Sequence, residues 1–433
     1  MRELSPLPRL RKAANWTRMT FGPKNKLRRR LGWFVSLFLR KKPALAKINW
    51  IEQLQADSVS FYPAGEGEVV SLSRQIHSAP ESVQIESNPM RILRARSIVF
   101  EPHQEVFLQG RRAFRQRLGS ALRWKLVNER FSGLDSELVQ WSYRRIAVIS
   151  CATISKSKTF ESGIIINGKF PSNYYHWMIN ILPKVFLVEK EGTVPRDVPV
   201  LVSVSIKGKP AEEALRLVVG GRREIIFIAD EPHQVLDAFV VETAVPEIAL
   251  LSGNKNSSLD TLGGFNFSFM RLYRQFFLDA QEKASLGADF SPPRVYLSRS
   301  KRVRPFNEDD VRVFLEKHGF VSVKIEDHSF LEQVKIFAGA KIVVSITGAQ
   351  WTGAMFASGA RCLIMAPDFA SGSSVFSKLL HLGNGVLFQT LMDVTETTWK
   401  DYHHSRTPGF LDITELGRAL VSLESLSRAS FGE

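Results

Sequence analysis

The chain has 433 residues, 44% of them hydrophobic, with 30 Phe, two Cys and a formal charge of +15. That length predicts two domains of roughly 150 to 200 residues, each with apolar residues enough for a core of its own. The cysteines, Cys151 and Cys362, lie far apart, which excludes a disulfide framework and a cysteine-based metal cluster and suits a reducing compartment.

The charge is local. Residues 1–47 carry fourteen Lys or Arg against one acid, Glu3, for +13, and the rest of the chain holds +2. Within this leader, Arg28-Arg29-Arg30 and Arg40-Lys41-Lys42 flank the apolar run Leu31–Leu39. Nine residues fall far short of the roughly 20 that a spanning helix needs, and the run lies too far from the start for a signal peptide. Trp33 and Phe34 between basic clusters suit a segment on an anionic membrane surface; a disordered basic leader suits the sequence equally. A nucleic-acid-binding arm fits less well, because the aromatics are bunched and not interleaved with charge.

Residues 48–145 give few signals beyond strand-like runs at Ser97–Glu101 and Arg145–Ser150 and a basic, exposed helix or loop from Arg111 to Arg123. From Gly163 the pattern sharpens. A buried strand, Ile164–Ile166, leads into a Gly/Pro/Ser/Asn loop and an apolar helix starting near Asn173 or Tyr174. Pro183 must kink that helix or split it in two. Strands at Val198–Val204 and Glu224–Ile228 flank a helix around Ala211–Val219, and Met270–Ala284 reads as one amphipathic helix. Ser291-Pro292-Pro293 is a natural linker, which divides the chain into a leader (1–47), an N-terminal α/β domain (48–288) and a C-terminal Rossmann-like domain (289–433).

In the last of these, strands are predicted at Val295–Ser298, Val321–Ile325, Lys341–Ser345 and Cys362–Met365, alternating with helices as a parallel α/β layer requires. Asn307 stands where a helix cap is wanted, before Glu308, Asp309 and Asp310, and Gly319 where a left-handed residue closes the helix. A helix around Val375–Leu382, a strand near Val386–Gln389 and a helix from Ile413 to about Leu426 follow; the last could pack back on the first domain. The fold class is therefore α/β, two Rossmann-like domains facing across a cleft.

In such sheets ligands bind where strands end and helices begin. Arg299, Arg302 and Arg304 follow a strand end, where guanidinium forks clamp phosphate oxygens; a solvated basic turn is the plain alternative. Thr347-Gly348-Ala349-Gln350 follows another strand and precedes a helix beginning near Trp351, so a diphosphate could approach its amides; a tight turn without ligand fits as well. Glu332 matches a capping box with Ser329, or could bind ribose hydroxyls. His176, among Tyr174, Tyr175 and Trp177, is either a satisfied core residue or a general base. No D-x-D pair or His/Cys spacing supports a divalent-metal site.

The ordered set NYYHWMINILPKVFLVEK, RVYLSR, R-x-FNED, SFLEQVKIFAGAKIVVSITGA and ASGA, spanning roughly Gly163 to Pro367, resembles glycosyltransferase family 61, whose bacterial members are associated with capsular, exopolysaccharide or lipopolysaccharide synthesis. The resemblance implies a type B glycosyltransferase fold and an inverting, metal-independent transfer with no cofactor beyond the nucleotide-sugar co-substrate. It places the diphosphate on Arg299 and Arg302 or Arg304, the ribose or base on Glu332, the phosphates on Thr347 to Gln350, and the base or acceptor contact on His176. It also implies a glycan or lipid-linked acceptor and work at the cytoplasmic membrane face. The chain departs from the family pattern at Thr347, Gly353, Asn180 and Lys184, where histidine, asparagine, an acidic residue and arginine are common. These departures leave a catalytically degenerate sugar- or nucleotide-binding scaffold as the alternative.

Overall fold

A computed structural model describes residues 43–71, 74–75, 82–110, 112–115, 139–143, 146–150, 157–245, 264–284, 291–299, 304–367, 374–395 and 407–425. Arg302, most of the leader and Cys151 lie outside the described residues.

Two large sheets organise the chain. In the first, β1 (Met90–Phe100) pairs antiparallel with β5 (His233–Val241), and β5 continues into a parallel set with β2 (Lys158–Ile165), β3 (Val200–Ser203) and β4 (Ile225–Ile228). The order along this stretch is β4-β3-β2-β5-β1. The far edge includes Pro43–Trp50, whose first five residues, counted above with the leader, pair with Ile146–Ser150. Arg112–Arg115, read from sequence as exposed helix or loop, is a strand beside it.

The second sheet is entirely parallel: β6 (Arg294–Ser298), β7 (Val321–Lys324), β8 (Ile342–Ile346), β9 (Arg361–Ala366) and β10 (Val386–Leu391) lie in the order β7-β6-β8-β9-β10. This is a doubly wound arrangement whose order reverses between β6 and β8. Arg74–Gln75, from the first half of the chain, adds a sixth strand beside β10. The mixed α/β architecture with parallel-rich sheets is compatible with a Rossmann-like glycosyltransferase.

Side-chain alternation along these strands sets the layers. Val295, Leu297, Val343, Cys362 and Ile364 face one core, while Tyr296, Ile342, Val344, Leu363 and Met365 face another. The outer core is closed by α4 (Glu308–Lys317) and α7 (Ile413–Ser425), through Val311, Leu315, Leu416, Leu420 and Leu423. The spacing of the α7 leucines makes one apolar stripe, and it docks on the second sheet. The inner core is shared by both sheets. Helices α1 (Leu182–Glu191), α2 (Pro210–Val219), α3 (Phe267–Lys283), α5 (Phe330–Gly339) and α6 (Ser374–His381) contribute to it, and Ile164, Val200 and Val202 of the first sheet close it. Opposite faces of the first sheet (Ile165, Leu201, Val240, Phe100) bury against a third cluster with Phe107 and Phe114. Among the described residues no helix is long and apolar enough to cross a membrane.

Candidate active site

The reversal between β6 and β8 opens a crevice at the strand C-termini, and Arg299 and Thr347 are the first residues past those ends. The Arg299 backbone N–H donates to Glu308 Oε1 (3.2 Å), as does the Tyr296 hydroxyl (3.4 Å), so the first turn of α4 fixes where the arginine leaves the strand. Gly348 lies beneath it. A methyl group at Gly348 would come 3.1 Å from Arg299 Nη2 and would overlap the Gln350 side-chain oxygen. With no side chain at Gly348, the guanidinium and the Gln350 carboxamide share the space beside this loop.

The loop itself differs from the expected helix entry. Ala349–Phe356 is a 3₁₀ segment of eight residues, tighter than an α-helix and unusually long for its type. The Thr347 N–H donates to the Met365 carbonyl (3.1 Å), and Gln350 Nε2 donates to Ser345 Oγ and the Ile346 carbonyl (both 3.1 Å). Thr347 and Gln350 therefore shape the loop, while Gly348 is the surface beneath Arg299. Gly353 has no room for the asparagine common in the family pattern: a Cβ there would strike the Phe337 ring.

Of three local expectations, the one at Asn307 fails and those at Gly319 and Glu332 hold. Asn307 sits at the start of α4, but its carboxamide pairs with the Leu411 backbone (Nδ2 to carbonyl 3.0 Å, amide to Oδ1 2.8 Å) and gives no side-chain cap. Gly319 follows α4 with φ +77, the expected left-handed residue. Glu332 forms the capping box, with Oε2 accepting from Ser329 N–H (2.8 Å) and Oγ (2.7 Å), and these bonds hold its carboxyl below the usual range. A second carboxylate caps the same helix from the first half of the chain: Phe330 N–H donates to Glu213 Oε2 (2.7 Å). Arg304 is buried and takes φ +58, beside Pro305, whose carbonyl accepts from Gly409 N–H.

The other crevice lies past β2. Asn173 caps a single helical turn, Tyr174–His176, by accepting from Tyr175 N–H (3.0 Å). A π-helical stretch, Trp177–Ile181, follows, and α1 then begins at Leu182. The wide turn absorbs the discontinuity, so that Pro183 falls in the first turn of a new helix, where its missing N–H costs little. The kink or split expected at Pro183 takes the form of this π-helical interruption just before it.

His176 Nδ1 lies 3.1 Å from Asn180 Oδ1. The Asn180 amide nitrogen donates to the Val245 carbonyl (2.7 Å), and Thr243 Oγ1 donates to the Asn180 carbonyl (2.8 Å). A backbone carbonyl can only accept, which fixes the carboxamide with Oδ1 toward the imidazole. Nδ1 must then carry the hydrogen, leaving the lone pair on Nε2. Burial lowers the His176 pKa, Lys169 adds to that, and the Asn180 bond and Glu105 oppose it; the net shift favours the neutral ring. Lys184, fully buried, donates to the Asn167 carbonyl (2.6 Å), and burial pushes its ammonium down to about 8.

The elements carrying the two crevices touch. The Tyr174–His176 turn packs against Ala349–Phe356, and Phe376 of α6 meets Tyr175 edge-on (6.1 Å) and Trp351 (6.3 Å). The His176 imidazole and the Arg299–Gly348 pair, each past a strand end, are thereby joined through contacting elements.

Residues 174–367 match the Glycosyltransferase 61 family model. None of the curated proteins compared with the chain matches it. The Glycosyltransferase 61 segment begins one residue past the Asn173 cap and ends just past β9, so it contains His176, Asn180, Arg299 and Gly348. Glycosyltransferase 61 proteins are glycosyltransferases, and the match supports that activity for this chain. Among the described residues no cluster of three or more His, Cys, Asp or Glu could hold a metal ion.

Sequence reasoning passed over several residues that build the candidate site. Asn180 had a usable signal, its position four residues after His176, but it was read only as a departure. Arg274 of α3 had none: it donates to the carbonyls of Met355 (2.7 Å), Phe356 (3.3 Å) and Ala357 (3.2 Å) and to Ser358 Oγ (2.6 Å), pinning the end of the 3₁₀ segment from about 80 residues away. Glu213, the second cap of α5, is likewise distant in sequence.

Proposed function

We propose that the protein is an inverting glycosyltransferase that moves a sugar from a nucleotide-sugar donor to a polysaccharide or glycolipid acceptor in surface polysaccharide biosynthesis. The observation that carries this reading is Arg299 held over Gly348 at the reversal of the second sheet. A diphosphate bound there would meet the guanidinium fork, with Glu332 toward the ribose or base. His176 Nε2 takes the acceptor hydroxyl proton as that oxygen attacks the anomeric carbon. The bond from that carbon to the diphosphate oxygen breaks on the opposite face, and the charge left on the diphosphate is stabilised by Arg299. The chemistry asks for no metal and no cofactor.

The part of the 1–47 leader before Pro43, with thirteen cations and the Leu31–Leu39 run, would hold the enzyme on the inner face of an anionic membrane, where a lipid-linked acceptor is presented. Titration calorimetry of the full chain against a panel of nucleoside diphosphates tests the donor site: binding is expected, and its absence for every nucleotide would sink the reading. Single-turnover release of nucleotide in the presence of acceptor then separates an enzyme from a scaffold, which would bind without release.

A further inference from the structure

Phe170 stands in the loop between β2 and the turn that carries His176, and the transfer chemistry above gives it no role. Its backbone has φ +51, a left-handed conformation in which a bulky side chain is an outlier. Such conformations persist where the surrounding structure holds them, and they cluster at ligand sites. Here Gly168 N–H donates to the Pro102 carbonyl (3.1 Å), and Asn173 N–H donates to the carbonyl of Phe170 itself (2.8 Å). The ring is thereby carried outward: it is 60% exposed, although Lys169 and Pro171 on either side are buried. Its centroid lies 5.5 Å from that of the His176 imidazole, with the rings tilted by 44°. One side of the phenyl ring borders the imidazole and the rest faces solvent.

We propose that Phe170 is the acceptor platform, on which the apolar face of a pyranose ring stacks so that one of its hydroxyls lies beside His176. The inference rests on the reading of His176 as the base of a sugar transfer. A pyranose with mostly equatorial hydroxyls turns axial C–H bonds toward one face. That gives a flat apolar patch with slightly positive hydrogens, complementary to the negative face of an aromatic ring. A lipid tail would call for a contiguous apolar surface; this ring is bordered by the polar His176. An apolar platform with a few polar groups at its edge is the usual make-up of a site that must orient a ligand as well as hold it.

The test is saturation-transfer NMR on the full chain with methyl β-glucopyranoside, methyl β-galactopyranoside and methyl α-mannopyranoside as probes. Melting curves and nucleotide calorimetry are run on the same preparations. The wild type is expected to transfer saturation to the C–H protons on one ring face of at least one glycoside. Phe170→Tyr and Phe170→Trp keep that affinity within about threefold, and Phe170→Leu and Phe170→Asn weaken it about tenfold, the size of an aromatic stacking term. Asn tolerates the left-handed backbone, so Phe170→Asn is expected to melt no lower than the wild type and to bind nucleotide equally well, which separates a lost platform from a misfolded loop. A glycoside affinity in Phe170→Leu equal to that of the wild type would overturn the proposal and assign the ring to apolar contact of the lipid-tail kind. Absence of any glycoside signal from the wild type would overturn it too. Failure of the wild type to bind any nucleotide would instead sink the sugar-transfer reading, while the glycoside signals still decide the platform by themselves.

Discussion

The two crevices are made of different materials. Past β6 and β8 the surface is backbone and a glycine, with Thr347 and Gln350 bonded to strand ends and one guanidinium laid across. Past β2 the work is done by side chains: imidazole, carboxamide, hydroxyl and a buried ammonium joined to one another or to backbone carbonyls. The first arrangement suits an anion whose charge must be met by a fixed cation without steric bulk. The second suits proton transfer, because a tautomer is fixed only when every partner of the ring has a single possible role. A substitution at the first should therefore act on nucleotide affinity and leaving-group stabilisation, and one at the second on pH dependence.

The largest expected effects test that division directly. His176→Ala should lower turnover by about 10²- to 10⁴-fold, the range for loss of a general base, while leaving nucleotide affinity within a few-fold by calorimetry. Arg299→Ala should lower turnover by about 10²- to 10³-fold and also weaken nucleotide binding; an Arg299 variant with unchanged nucleotide affinity would break the assignment of the first crevice to the donor. Next comes Gly348→Ala, whose added methyl meets Gln350 and crowds Arg299. It is expected to weaken nucleotide binding by about tenfold, equivalent to about 1.4 kcal/mol, with little change in the melting temperature.

Asn180→Asp sharpens the other side. Burial holds the His176 pKa below its ordinary value, so its base form, and with it the rate, survives into mildly acidic solution. A carboxylate at position 180 favours the imidazolium and should move the acid limb of the rate profile upward by about one pH unit or more. An unmoved limb would mean that His176 is not the titrating base. The smallest effect is expected at Ser329→Ala, which removes half of the α5 capping box and should cost about 1 kcal/mol of stability in a denaturant titration, with the rate profile unchanged.

Several of these features were readable in the chain before folding was considered. The strands β6 to β9 are short β-branched runs bounded by helical patterns, and each lies within one or two residues of its expected place. The Ser329–Glu332 capping box and Gly319 are local devices whose partners lie within a few residues, so sequence spacing reveals them. Pro183 announced the break before α1 for the same reason. The strands between Ala56 and Ile85 went unread because many of their side chains face solvent, and a half-exposed run carries a weak apolar signal. Asn307 was misread because two uses of one carboxamide, a local cap and a distant pairing with Leu411, have the same sequence signature.

What the sequence determined by itself was the alternation of elements, the ordered motifs around His176 and Arg299, and the identity of the groups able to carry charge or a proton. Periodicity, caps and turn residues act over a few positions, and that information is complete in the chain. Only the tertiary structure decided that β6 and β8 are neighbours at a reversal of strand order, that Gly348 is the ground beneath Arg299, and that Asn180 fixes the His176 tautomer by being itself fixed through Val245. Those are distances between residues tens of positions apart, set when both sheets bury their apolar faces in one shared core; no local pattern encodes them.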